Sequence, residues 1–282
     1  MNKIKLVTDS TCDLSSALLE RYDIEVIPLY VNFGDQSFKD GVDLFVPKMY
    51  DLVEELNQLP KTAAPAPGIF AAVFKKYLDQ GYQVIYMGIG SKFSASFNSA
   101  YNAKLLLETD DLYLIDSQNL SSGTGLLLLK AGEMIKSGLD TLSIVAEIEK
   151  LVPKVRSQFV INTLEYLYKG GRLNALSALF GGLLRIKPII KVRDGVMAVG
   201  KKGRGKITNA IDLMINEMLA DKERLDPDFM MITHSMADKE AQYIRERILE
   251  EVNVKEIYET NAGCVISSHC GKKTIGVLYI MQ

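Results

Sequence analysis

The stretch QVIYMGIGSKFSASFNSAYNAKLLLE, residues 83–108, decides the fold. Its opening, QVIYMGI, is a near-continuous apolar run, the pattern of a strand buried on both faces of a parallel sheet. Small hydroxylated residues follow at once and lead into a helix. Ser91, Ser94, Ser96 and Ser99 therefore fall at the carboxyl end of a buried strand. Two chemistries explain them. Serine is a favoured helix cap, worth about 1 kcal/mol. The same exposed N–H groups and helix dipole also make such a turn hospitable to an anion.

The unit recurs on either side. DLYLID (111–116) is a second apolar run, followed by SQNLSSGTGLLLLKAGEMIKSG (117–138). Upstream, KIKLVTD (3–9) ends in Asp9, Ser10 and Thr11. IEVIPLYVNF (24–33) is β-branched and aromatic, with Pro28 marking an edge or a bulge. VPKMYDLVEELNQL (46–59) has apolar residues at 46, 49, 52, 53 and 56, a helical spacing. PGIFAAVFKKYLDQG (67–81) starts on Pro-Gly and stops on Gly81. This βαβα order predicts a three-layer α/β domain with a parallel sheet over residues 1–150.

Residues 151–282 have another texture. TLSIVAEIEKLVPKV (141–155) bridges the halves as a helix. KPIIKVRDGVMAVGKK (187–202) is a hairpin signal around Asp-Gly. Helix patterns at 207–220 and 239–252 alternate with strand patterns at 157–163, 228–235, 254–260 and 274–281. A hairpin mixed with crossovers predicts a second, smaller α/β domain with a mixed sheet. The segment LNALSALFGGLLRIKPII (173–190) is apolar almost all round, which fits either plain core or the wall of a tunnel.

Composition narrows the function. The chain has 282 residues, 48% hydrophobic and 24% charged, as in globular proteins that bury a large core. A net charge of −2 makes no electrostatic case for nucleic acid. No apolar run approaches the roughly 18 residues that span a bilayer; GLLLLKAGEMI meets Lys130 after four leucines. The start, MNKIKLVTDSTCDL, reaches acidic residues before any useful apolar block, so a cytoplasmic protein is expected. Three cysteines, at 12, 264 and 270, make neither a CxxC nor a metal spacing and read as small buried thiols.

Ligands of open α/β sheets bind beyond the carboxyl ends of the strands. Hydroxyl or glycine clusters sit there at 8–14, 88–96, 116–125 and 233–238, and the loop PKTAAPAPG (60–68) precedes a helix. Asp13 and Ser15 read as caps of the first helix. The dinucleotide fingerprint is missing, since Gly88 and Gly90 have no third glycine at 93; no P-loop or G-x-S-x-G elbow occurs either. The two histidines, His234 and His269, supply a triad or a metal site poorly. His269, in the polar turn SSHCGKKTIG, is either a surface group or a donor to an anion. YKGGRL (168–173) and KKGRGK (201–206) are basic loops in which Arg172 and Arg204 either face solvent or pair with a carboxylate.

Taken in order, VTDSTCDL, Thr62 before a Pro-bearing loop, GSKFSASFNSA, DSQNLSSGTG, LEYLYKGGRL, KPI and HCGKKTIG resemble the motifs of the DegV family over essentially the whole chain. The resemblance implies two α/β domains with a long-chain fatty acid such as palmitate buried between them. It implies a binding protein without a catalytic centre, metal or cofactor. It further implies a role in lipid transport or fatty acid metabolism, with some members presenting the acyl carboxylate to a separate kinase subunit that makes an acyl-phosphate. Contact with a membrane surface would serve lipid exchange. Carried over by motif, the carboxylate-binding hydroxyls are Thr62 and Ser94; His269, Arg172 and Arg204 are secondary candidates. Here Thr62-Ala63-Ala64-Pro65-Ala66 replaces the usual Thr-Ser-Gln-Pro-Ser, and Ala95 stands where Gly is usual. The rival reading is a hydrolase or phosphotransferase using the same anion site.

Overall fold

The structure is a computed structural model that describes residues 3–172 and 186–282. The apolar stretch at 173–185 lies outside the described residues. In the first half the elements run β1 (Lys3–Asp9), α1 (Ser16–Arg21), β2 (Ile24–Ile27), β3 (Tyr30–Phe33), β4 (Gln36–Lys39), α2 (Val46–Leu56) and β5 (Lys61–Ala63). They continue with α3 (Pro67–Leu78), β6 (Tyr82–Gly88), α4 (Ser96–Leu107), β7 (Leu112–Asp116), α5 (Ser122–Lys136) and α6 (Thr141–Leu151). The second half has β8 (Val155–Val160), α7 (Glu165–Lys169), the hairpin β9 (Ile186–Arg193) and β10 (Val196–Arg204), α8 (Ile207–Leu219) and β11 (Leu225–His234). It ends with α9 (Asp238–Leu249), β12 (Glu256–Asn261), α10 (Cys264–Cys270) and β13 (Ile275–Met281).

The apolar runs with which the sequence marks buried strands form a parallel sheet in the order β2-β1-β6-β7. Its outer face packs under α3 and α4 through Phe70, Phe74, Ala100 and Ala103, all fully buried. The second sheet has the order β10-β9-β8-β13-β11-β12 and is antiparallel except for the β11–β12 pair. Although its half is the shorter in sequence, this mixed sheet has six strands against four. Asp194 and Gly195 make the turn of the β9–β10 hairpin, both at positive φ (52° and 72°).

One sheet is new relative to the sequence reading. Pro28 neither edges nor bulges a single long strand; it falls between β2 and β3. A proline lacks the N–H that a ladder needs, so the chain leaves the parallel sheet there. β3 then pairs with β4 and β5 in a small antiparallel sheet. The turn is Gly34-Asp35, with Gly34 at φ 56°.

The two main sheets are tied together by α5. Residues Ser122–Gly132 are buried without interruption. Leu126, Leu127, Leu128 and Leu129 share one core with Leu6, Ile85 and Met87 of the parallel sheet and with Val155, Met231 and Leu278 of the mixed sheet. A helix apolar all round belongs between two layers. Lys130 interrupts the leucines but stays in place because Asp226 and Asp228 accept from its Nζ at 2.7 and 2.6 Å. Among the described residues no helix is long and apolar enough to cross a membrane.

Candidate carboxylate and acyl site

A pocket of about 220 Å³ lies where the two halves face each other. Leu29, Ile89 and Leu120 line it from the first half, and Phe159, Met197 and Leu278 from the second. Its polar wall holds Thr62, Ser94, Arg172 and His269. Ser94 and Arg172 also line an open basin beside Lys92 and Asn98. That shared wall is the mouth of the pocket, with the charged Arg172 at its opening; the rest of the lining is mainly apolar, with buried Ser121, Thr233, His234 and Ser235 among it.

Ser94 comes from the turn between β6 and α4. That turn is fixed by Asp9, which ends β1 and accepts from Ile89 N–H at 3.0 Å. The four serines of the turn have separate tasks. Ser91 donates through its hydroxyl and its amide to Asp116. Ser96 is fully buried in α4, and Ser99 continues the helix with its N–H on Ala95 O. Ser94 Oγ accepts the Ser96 N–H at 3.2 Å and lies 3.0 Å from Ser96 Oγ. A serine has two acceptor sites and one donor. Either hydroxyl can be the donor between them; when Ser96 donates, the Ser94 proton is left to point into the pocket, so bracing the turn does not use up this hydroxyl.

Thr62 sits on β5, paired with Val31 of β3. Its Oγ1 is 2.8 Å from His269 Nε2. His269 is not in a polar turn as the sequence suggested. It lies in the last turn of α10, whose residues are mostly buried. Burial, and secondarily the Arg172 charge, push its imidazole down to about 4, so it is neutral at pH 7. If Nε2 carries the proton and donates to Thr62, the Thr62 O–H is free to donate into the pocket. His269 Nδ1 is buried with no hydrogen-bond partner. It fits only because residue 170 is glycine: a Cβ there would stand 2.5 Å from Nδ1. Arg172 donates to Gly170 O at 2.7 Å and is otherwise exposed at the mouth.

Other candidates are placed elsewhere. Arg204 ends β10, exposed, and is not among the residues lining the pocket. His234 does line it, but its Nδ1 accepts the Ala237 N–H at 3.1 Å and its Nε2 faces Glu259 at 3.5 Å. Ser94 is hydrogen-bonded to Ser96 and not to an imidazole. All three cysteines are buried. Asp13 is not a cap of α1; Ser15 holds that place. Asp13 instead accepts from Gly263 N–H at 2.8 Å, beside Asp40, which accepts from Cys264 N–H at 2.7 Å. Sequence reasoning passed over Asp40, which belongs to no local motif that marks a site, and in YKGGRL it singled out Arg172 and not Gly170, whose missing side chain makes room for His269.

An α/β protein of two main sheets and a small third one, with an apolar pocket and a hydroxyl-lined mouth, is thereby defined. The family profile described as "Uncharacterised protein, DegV family" matches residues 3–282. The chain belongs to the DegV family. It is 36% identical over 280 residues to a DegV domain-containing protein of Clostridium acetobutylicum, covering 99% of each chain. Among solved structures it is similar to a fatty-acid-binding DegV family protein of Thermus thermophilus, with a TM-score of 0.91 and 28% identity over 99% of this chain and 100% of that one. It is equally similar in sequence, at 28%, to a stearic-acid-binding protein of Eubacterium ventriosum, with a TM-score of 0.89 over 100% of this chain and 98% of that one.

Proposed function

We propose that this protein binds a long-chain fatty acid such as palmitate, with the carboxylate held by Thr62 and Ser94 at the mouth and the chain in the pocket between the halves. The observation that carries this reading is the Thr62–His269 contact of 2.8 Å at the polar wall of an apolar pocket; with the proton on His269 Nε2, the Thr62 hydroxyl donates to the carboxylate. The fatty acid and stearic acid named for the Thermus and Eubacterium proteins support the same ligand class. Hydrogen bonds to a charged group are worth about 1.5–3 kcal/mol each, and each buried methylene about 0.8 kcal/mol. The chain thus supplies affinity, while the hydroxyls fix which end faces out. His269 acts by orienting Thr62, and Arg172 adds positive charge at the opening.

In this reading the protein has no catalytic centre. It is a carrier in lipid transport or fatty acid metabolism, working in the cytoplasm as the substrate-presenting subunit of a separate acyl-phosphate-forming kinase. Contact with a membrane surface would load and unload it. Arg204, exposed on β10 away from the pocket, suits a partner-facing role better than a ligand-facing one. Two units, 1–150 and 151–282, close over the acyl chain. All strands of the parallel and three-stranded sheets precede residue 117 and all strands of the mixed sheet follow residue 154, which supports that division. Native mass spectrometry of freshly purified protein should show an acyl ligand, and delipidated protein should take up palmitate. Protein that carries no acid and cannot be loaded would refute the proposal.

A further inference from the structure

His269 is held by a helix too short to hold itself. α10 has seven residues, and an isolated helix of that length is unstable in water. The residue at its cap position, Gly263, has no side chain to accept the free N–H groups of the first turn. Two carboxylates from far away in sequence take that task. Asp13, in the turn after β1, accepts from Gly263 N–H at 2.8 Å; Asp40, after β4, accepts from Cys264 N–H at 2.7 Å. Their oxygens face the positive end of the helix dipole.

The arrangement is costly and closely fitted. Asp13 and Asp40 are only 5% and 3% exposed. Burial raises both carboxyl groups above the ordinary carboxylate range, Asp13 well above it. Asp40 Oδ2 is buried without a partner. Gly263 leaves no slack, since a Cβ there would lie 3.1 Å from both Asp40 oxygens and 3.3 Å from Asp13 Oδ1. The flank of α10 is held separately, by Ser267 Oγ against Ser235 Oγ at 2.8 Å. At its amino end the two carboxylates take the Gly263 and Cys264 amides, while Cys264 Sγ donates to Leu44 O at 3.3 Å and the Ala262 N–H to His234 O at 2.8 Å. The Asp13 carboxylate also accepts from the hydroxyl of Ser121, a pocket-lining residue.

We propose that Asp13 and Asp40 are positioning residues for the carboxylate site: they fasten the amino end of α10, and so set the place of His269 and, through it, the direction of the Thr62 hydroxyl. This rests on the fatty-acid reading above. Neither residue touches the ligand. Loosening the clamp misaligns the head-group donors and leaves the apolar pocket in place.

The test uses the full-length delipidated protein with palmitate and with 1-hexadecanol, which share the chain but not the charge, each measured by displacement of a fluorescent fatty acid. In Asp40→Asn and in Asp13→Asn, both isosteric, palmitate affinity falls about tenfold or more, while hexadecanol affinity stays within about twofold of the original. Unchanged palmitate affinity, or equal losses for the two ligands, would overturn the proposal. If neither variant folds, hydrogen exchange on the unaltered protein decides. The Gly263 and Cys264 amides then exchange only through global unfolding in the ligand-free state; exchange by local opening counts against the clamp. An unaltered protein that takes up neither ligand defeats the fatty-acid reading, while the amide protection still judges the clamp.

Discussion

The two sides of the pocket mouth are built in opposite ways. The Ser94 side is mostly local: β6, the turn and the start of α4 lie within one continuous stretch, Ser94 bonds to a residue two positions on, and Asp9 supplies the one distant brace named above. The His269 side is assembled from distance. His269 meets Thr62 across 207 positions, and its helix is gripped across 250 and 224. A local site tolerates changes elsewhere in the chain. A distributed site depends on every element that brings its parts together, so substitutions far from the ligand should damage it more.

Replacing Gly170 tests this most severely. Gly170→Val places atoms where a Cβ alone would be 2.5 Å from His269 Nδ1 and 2.8 Å from Tyr166 O. Overpacking of this kind costs about 1–3 kcal/mol, and the displaced imidazole takes Thr62 with it. We expect a lowered melting temperature and palmitate binding weakened beyond either hydroxyl deletion. A variant with unchanged binding would show that His269 is not needed. Next come the hydroxyls themselves. Ser94→Ala and Thr62→Ala should each weaken palmitate binding by about 1.5–3 kcal/mol, with little change for hexadecanol; equal losses for both ligands in a calorimeter would contradict the assigned role. Ser91→Ala lies in the same turn but bonds to Asp116, so its effect should appear in stability, about 1 kcal/mol, and not in ligand preference.

Two smaller measurements sharpen the contrast. The imidazole of His269, followed by NMR in a His234→Asn background, should titrate near 4 and not near 6.5. Its folded value lies below its unfolded one. The unfolded chain therefore takes up this proton first as pH falls from about 6.5 to about 4, and His269 draws stability away across that window. A midpoint near 6.5 would mean that the group is not buried. Arg204→Ala, at an exposed strand end outside the pocket, should leave palmitate affinity within about 0.5 kcal/mol.

The same contrast explains what the sequence could and could not disclose. QVIYMGI and DLYLID announce their strands because burial on both faces leaves a continuous apolar run. RDG announces its hairpin because Asp-Gly suits positive φ, and Ser94 stands out because its turn is contiguous. The β3–β4–β5 sheet was hidden: Pro28 reads as a local irregularity, whereas it marks the point where the chain changes sheets. His269 looked like a turn residue because "SSHCG" is polar, yet Ser267 and Ser268 are polar groups satisfied inside the core. Asp13 resembled a cap, and it is one, but of a helix that begins 251 positions later (264 against 13). No local pattern can reveal such a partner.

The four leucines of α5 bear on how a ligand enters. They are fully buried between the two sheets. Parting the sheets like jaws would wet all four, at about 1.5–3 kcal/mol each, or roughly 6–12 kcal/mol together. That is comparable to the whole stability of an ordinary domain. Fatty acid should therefore pass through the mouth by small movements around Ser94 and Arg172, and the α5 amides should stay protected from exchange while ligand turns over. The helix at the centre acts as a rivet, and traffic goes around it.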